Sequence, residues 1–139
     1  MFSEAETDYL KTQRLARIAT ASSKGVPEVS PVGFEFDGKY FWVGSHSQDI
    51  FHKTRRYANI TGGNGRVSIV IDDLASVDPW TPRAIKVSGT AEVMQHKGIF
   101  GEGKYIRITP KVTASWGIEP PRKGKFTSVK RWSETKGKN

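Results

Sequence analysis

The chain contains no cysteine. That excludes disulfides, iron–sulfur clusters and thiol catalysis, and it fits a reducing cytoplasm. Histidine is scarce. His46, His52 and His96 lack zinc-site spacing, so no metal centre is expected. Long apolar runs are missing too, and the opening MFSEAETDYL is acidic and broken by charges. It reads as neither a signal peptide nor a membrane span. No nucleophile elbow is present. GGNGR lacks the Lys-Ser/Thr of a phosphate loop, and GIFGEG follows no parallel-sheet unit. Acidic residues are outnumbered, 14 against 22 Lys and Arg, for a net charge of +8 over 139 residues. Residues 119–139 hold seven of the basic residues and two Glu, so most of the excess lies in a tail. The body lacks the basic face of a nucleic-acid protein, which argues against that partner class.

The length suits one domain with a modest core. SEAE at Ser3–Glu6 has the capping-box form and predicts a short helix to about Thr12, burying Ala5, Tyr9 and Leu10. RLARIATAS and VPEVSPVGFEF alternate as strands, and Asp37–Gly38 is a strong hairpin signal leading into KYFWVG. From Ser47, the spacing of Ile50, Phe51, Thr54, Tyr57 and Ala58 predicts a second helix, ended by TGGNG. RVSIVIDD and RAIKVSGTAEV are two further strands, joined by a stiff loop in which Trp80 sits between Pro79 and Pro82. QHKGIFGEGK reads as a glycine-rich turn, and YIRITP and VTASWGI as last strands split at Pro110. Six or seven strands, two short helices and short connections predict a mainly β antiparallel barrel over 1–118. Residues 119–139 form a basic arm, extended or disordered.

HKTRR at His52–Arg56 carries the clearest chemistry. Lys53, Arg55 and Arg56 bring three cations close to the hydroxyl of Thr54, a combination suited to a phosphate. A solvated helix face is the competing reading. Asp72–Asp73 reads as a polar strand end rather than an acid–base pair, and Trp116 as core or interface packing as readily as a stacking platform.

Taken in order, YLKTQRLARIAT, PEVSPVGFEFDG, HKTRR, VSIVIDDLASVDPWTPRAIKVSGTAEV and IRITPKVTASWGI resemble pyridoxamine 5′-phosphate oxidase-like split-barrel proteins. The likeness extends over about residues 2–118 and is strongest to the deazaflavin (coenzyme F-420)-dependent subgroup. It implies an FMN-binding split β-barrel and a cytoplasmic homodimer, with the cofactor in a groove at the subunit interface. It further implies an oxidoreductase that moves a hydride to or from a small planar or conjugated substrate. The implied cofactor is F-420, with FMN as alternative. Lys53 and Thr54 match the family's phosphate-holding pair, with Arg55 and Arg56 as neighbours. Ser30, Pro31, Val32 and Gly33 match the segment lining the ring, Val32 and Gly33 facing it. Trp80, Arg83 and Trp116 match motif positions and are expected to shape the substrate side, although an apolar plug at the dimer seam is an alternative for Trp80. No catalytic residue is singled out. GGNGR stands where many relatives carry Asn-Pro-Arg, and Phe51 replaces a basic residue of some relatives. A non-catalytic cofactor carrier and a nucleic-acid-binding barrel are the rival functions.

Overall fold

The computed structural model of the chain describes residues 2–119 and 127–131. Helix α1 spans Glu4–Thr12, and its capping box is formed as expected: Ser3 accepts from Glu6 N–H while Glu6 accepts from Ser3 N–H. The buried face differs from expectation. Ala5 is exposed, and Glu6 is buried beside Tyr9 and Leu10. Burial of Glu6 follows from its partners, because its carboxylate reaches past Ser3 to Ser115 and Lys130.

Seven strands follow: β1 (Leu15–Ala21), β2 (Pro27–Phe36), β3 (Phe41–Val43), β4 (Arg66–Ser76), β5 (Thr81–Gly98), β6 (Gly101–Trp116) and β7 (Thr127–Arg131). They run in the order β3-β2-β1-β4-β5-β6-β7, every pairing antiparallel. β3 also pairs with β6, so six strands close into a barrel, while β3 covers only residues 34–36 along that side of β2. One edge of β6 is shared: residues 106–108 pair with β3, and Val112–Trp116 pair with β7. Part of the basic arm thus belongs to the sheet, while 120–126 and 132–139 lie outside the described residues.

Alternation sorts the core. Ala16, Ile18 and Thr20 of β1 point inward, as do Val67, Ile69 and Ile71 of β4, Ile85 and Val87 of β5, and Ile106 and Ile108 of β6. Each fully buried Ile contributes about 1.5–3 kcal/mol relative to exposure. No helix among the described residues is long and apolar enough to cross a membrane.

Four expectations are corrected. The second helix is two: α2 (Gln48–His52) and α3 (Arg55–Thr61), giving three helices among the described residues. Thr54 leaves helical geometry at φ −75° and ψ 150° and caps α3, accepting from Tyr57 N–H at 3.2 Å. Pro110 does not split β6. It sits opposite Gly89 at a bulge, between the stretches of β6 that pair with β3 and β7, a position that proline tolerates within a sheet. The Pro–Trp–Pro loop shrinks to a turn over residues 77–80, with Pro82 inside β5 opposite Leu74. Pairing of β5 with β6 reaches only Ala84, so Pro82 has a strand on one side alone. Likewise QHKGIFGEGK is mostly strand, its turn reduced to Ile99–Phe100.

Candidate functional site

The break between α2 and α3 falls on the HKTRR cluster. Lys53 closes α2, and its side chain is exposed. The Thr54 hydroxyl donates to Phe51 C=O at 2.8 Å while accepting from Tyr57 N–H, so it shapes the corner before it serves any ligand. Arg55 is exposed. Arg56 is different: its guanidinium turns toward the barrel and donates to Ser30 Oγ of β2 at 3.4 Å. Arg56 Nε is buried with no hydrogen-bond partner among the described residues. Burial lowers the Arg56 pKa, against the attraction of Glu28, which itself accepts from Ser30 at 3.4 Å. A desolvated cation with an unused donor is what a phosphate oxygen would satisfy.

Ser30 is one of four expected contacts on β2. Pro31 is exposed and Gly33 is partly covered, both on the outer surface of the barrel. Val32 is a correction: its side chain is buried in the barrel core, because the two-residue period places it with Phe34. Only its backbone remains for a ligand on the outer face.

Trp80 sits at the β4–β5 tip, 69% exposed. Trp116 lies across from Ala84 at the end of β6, and Arg83 is the one of the three that meets α1, its guanidinium 5.0 Å from the Tyr9 ring. Arg83 is engaged rather than free. It makes a two-pronged pair with Asp73, Nε to Oδ1 at 2.9 Å and a terminal nitrogen to Oδ2 at 2.6 Å. The same carboxylate accepts from Tyr9 Oη at 3.0 Å and Gln13 Nε2 at 3.3 Å, binding α1 to the sheet. Arg83 holds the Asp73 carboxyl below its usual range, while burial and then Asp73 push the Tyr9 phenol up. Trp116 is half-buried opposite Ala84. Gly117 beyond it has φ +73°, and a Cβ there would overlap Pro82 C=O. Among the described residues no hydrogen bond or ion pair joins this group to Lys53–Arg56. Within one chain the structure therefore brings together Ser30 and Arg56, and separately gathers Arg83 and Trp116.

A further cluster escaped sequence reasoning. Glu35 of β2 receives His96 Nε2 at 2.7 Å and Ile99 N–H at 2.9 Å. His96 stacks on Trp42 with centroids 3.7 Å apart, and Trp42 Nε1 donates to Asp37 at 2.8 Å. Burial raises the Asp37 carboxyl, but N–H bonds from Tyr40, Trp42 and Lys39 outweigh it and leave it lowered. The signal in the sequence was the DG turn, which presents the N–H groups of Lys39 and Tyr40 to Asp37.

This barrel has known counterparts. Residues 2–130 match the family described as pyridoxamine 5′-phosphate oxidase. The chain belongs to that family. It is 33% identical over 122 residues to a 5a,11a-dehydrotetracycline/5a,11a-dehydrooxytetracycline reductase of Streptomyces rimosus, covering 85% of this chain and 84% of that one. Among solved structures, it resembles the conserved protein Rv2991 of Mycobacterium tuberculosis at 20% identity and TM-score 0.64, covering 90% of this chain and 92% of the other. It also resembles the heme storage protein HutZ of Vibrio cholerae, at 15% identity and TM-score 0.57, covering 80% and 92%. These two likenesses show the shared fold.

Proposed function

We propose that the protein is an oxidoreductase that binds a phosphorylated deazaflavin, coenzyme F-420, or alternatively FMN, and reduces or oxidises a small planar, conjugated substrate. The observation that carries this reading is Arg56, a partly desolvated guanidinium with an unsatisfied Nε, held between the HKTRR corner and Ser30 of β2. The donor set fits a phosphate: Arg56 behind, with Lys53 and Arg55 exposed beside it. The segment 30–33 fits the edge of a flat ring, since Gly33 projects no Cβ from the outer face of β2 and is only partly covered, with the Phe100 ring against it. A bound deazaflavin or flavin supplies the hydride chemistry itself. The chain's own residues anchor the phosphate, present backbone N–H and C=O groups of β2, and exclude water. The likeness to a reductase of a polycyclic substrate supports the same class of reaction, and a substrate of extended, conjugated rings.

The outer face of β1 and β2 supports a homodimer. Leu15 and Val29 are 63% and 66% exposed there, next to Pro31 and Gly33.

Titration of the purified chain with F-420 and with FMN, followed by cofactor fluorescence, tests the reading. Saturable binding of one cofactor and turnover with a conjugated ketone or enone are expected. Binding of neither, with salt-sensitive oligonucleotide binding in their place, would refute it. Binding without turnover on any such substrate would leave a carrier.

A further inference from the structure

Hairpin tips are ordinarily loosely held, but the β5–β6 tip is tied at several points. Glu35 accepts from Ile99 N–H and, through its other oxygen, meets His96 Nε2. His96 lies flat on Trp42 and takes the ring of Tyr105 edge-on, with centroids 4.9 Å apart. The Tyr105 hydroxyl accepts from Phe100 N–H at 3.0 Å and donates to Gly101 C=O at 2.7 Å.

These ties do not serve to bury the tip, since Phe100 remains 39% exposed. Its ring is laid on two glycines. A Cβ on Gly33 would come within 3.1 Å of Phe100 Cζ, and one on Gly44 within 3.1 Å of Phe100 Cδ2 and into the Tyr105 ring. Neither glycine has positive φ. The backbone there would accept any residue, so space for the rings is what a side chain would take away. An aromatic ring is thus held rigidly over the outer face of β2, at the end of the 30–33 segment, and left half open.

We propose that Phe100 is a cofactor-ring contact, closing the Gly33 end of the β2 surface, and that Glu35, His96 and Tyr105 are its positioning residues. The inference rests on the cofactor assignment above and deepens it by adding a wall supplied by a different hairpin. A half-exposed ring with a fixed backbone loses little freedom when a flat ligand packs against it, so the contact is preorganised.

The test uses the full chain and both cofactors, F-420 and FMN, with wild type, Phe100→Ala, Phe100→Tyr and Phe100→Trp. Phe100→Ala is expected to weaken binding roughly tenfold, the order of a lost aromatic stacking contact, and Phe100→Tyr to restore it. Phe100→Trp places an indole quencher at the wall, so the emission of bound cofactor should fall below that in wild type. The Trp variant keeps the test valid where the alanine variant does not fold. A folded Phe100→Ala with an unchanged dissociation constant, or a Phe100→Trp complex as bright as wild type, would overturn the assignment of Phe100 alone. A wild-type chain that binds neither cofactor would overturn the functional reading and this wall with it.

Discussion

Glu6→Gln is the sharpest test of how the N-terminal helix is held. Glu6 is 1% exposed, yet it is a carboxylate. One oxygen accepts from Ser3 N–H at 2.9 Å and pairs with Lys130 of β7, and the other accepts from Ser115 of β6 at 2.5 Å. Three elements, α1, β6 and β7, therefore meet on one side chain. Glutamine keeps the shape but removes the charge and turns one acceptor into a donor facing donors. Losing a buried, charge-assisted bond costs about 1.5–3 kcal/mol. Breaking a fully buried ion pair costs more, but Lys130 is part-exposed and can turn to water, which holds the loss to the lower range. About 2–3 kcal/mol is expected, and at roughly 3–4 °C per kcal/mol for a chain of this size the melting temperature should fall by about 6–12 °C.

The same carboxylate predicts a pH dependence. Burial raises its pKa, but the bonds from Lys130, Ser115 and Ser3 outweigh burial and leave it below the ordinary 4.5. A group depressed in the folded state contributes stability above its unfolded value and loses it as pH falls through the folded one. The gap between wild type and Glu6→Gln, measured by urea denaturation with tryptophan fluorescence, should be constant from about pH 8 to about pH 5 and narrow below about pH 4.5. A variant within about 0.5 kcal/mol of wild type at neutral pH, the range of an ordinary surface substitution, would refute the account. So would a gap that stays constant into acid.

Other expectations follow from single contacts. Lys53→Ala should weaken cofactor binding by about ten- to a hundredfold if its ammonium meets the phosphate, and Arg56→Ala by a similar factor, read in the same fluorescence titration. An unchanged dissociation constant in folded protein would remove either residue from the site. Asp73→Asn should lower the Tyr9 phenol pKa, because Asp73 is the second cause of its elevation after burial; a spectrophotometric tyrosine titration reads this, and an unmoved phenol would contradict the contact. Gly89→Ala places a Cβ into Thr109 C=O, a backbone atom that cannot yield locally, so a loss of about 1–3 kcal/mol is expected in thermal unfolding. Leu15→Glu combined with Val29→Glu should convert a dimer to monomer by light scattering, and a wild type that is already monomeric would refute the proposed interface.

Short-range features were legible because their causes lie within a few residues. The Ser3–Glu6 capping box is a matter of four consecutive positions. Asp37 bonds its own turn, so the DG signal and the β2–β3 hairpin agree. The two-residue period of a strand sets Ile18, Ile69 and Val87 toward the core, and it also excludes Val32 from the outer surface, a consequence that the resemblance to the family's ring-lining segment obscured. The HKTRR cations were legible as chemistry, but the turn that separates α2 from α3 was not. Helical spacing continues through Thr54, and only the capping bond to Tyr57 N–H shows the break.

By itself, then, the sequence determined a mainly β chain without thiol chemistry, with a capped first helix, the β2–β3 hairpin and a cation cluster. The tertiary structure alone decided which distant groups meet. Glu6 finds Ser115 and Lys130 at separations of 109 and 124 residues. Arg83 closes on Asp73, Arg56 reaches Ser30, and Phe100 settles on Gly33. The physical reason is register. Periodicity says which side of a strand a residue faces. Which residue lies across from it depends on bulges such as that at Gly89 and on barrel closure through β3 and β6, and these are settled only when all the strands are paired.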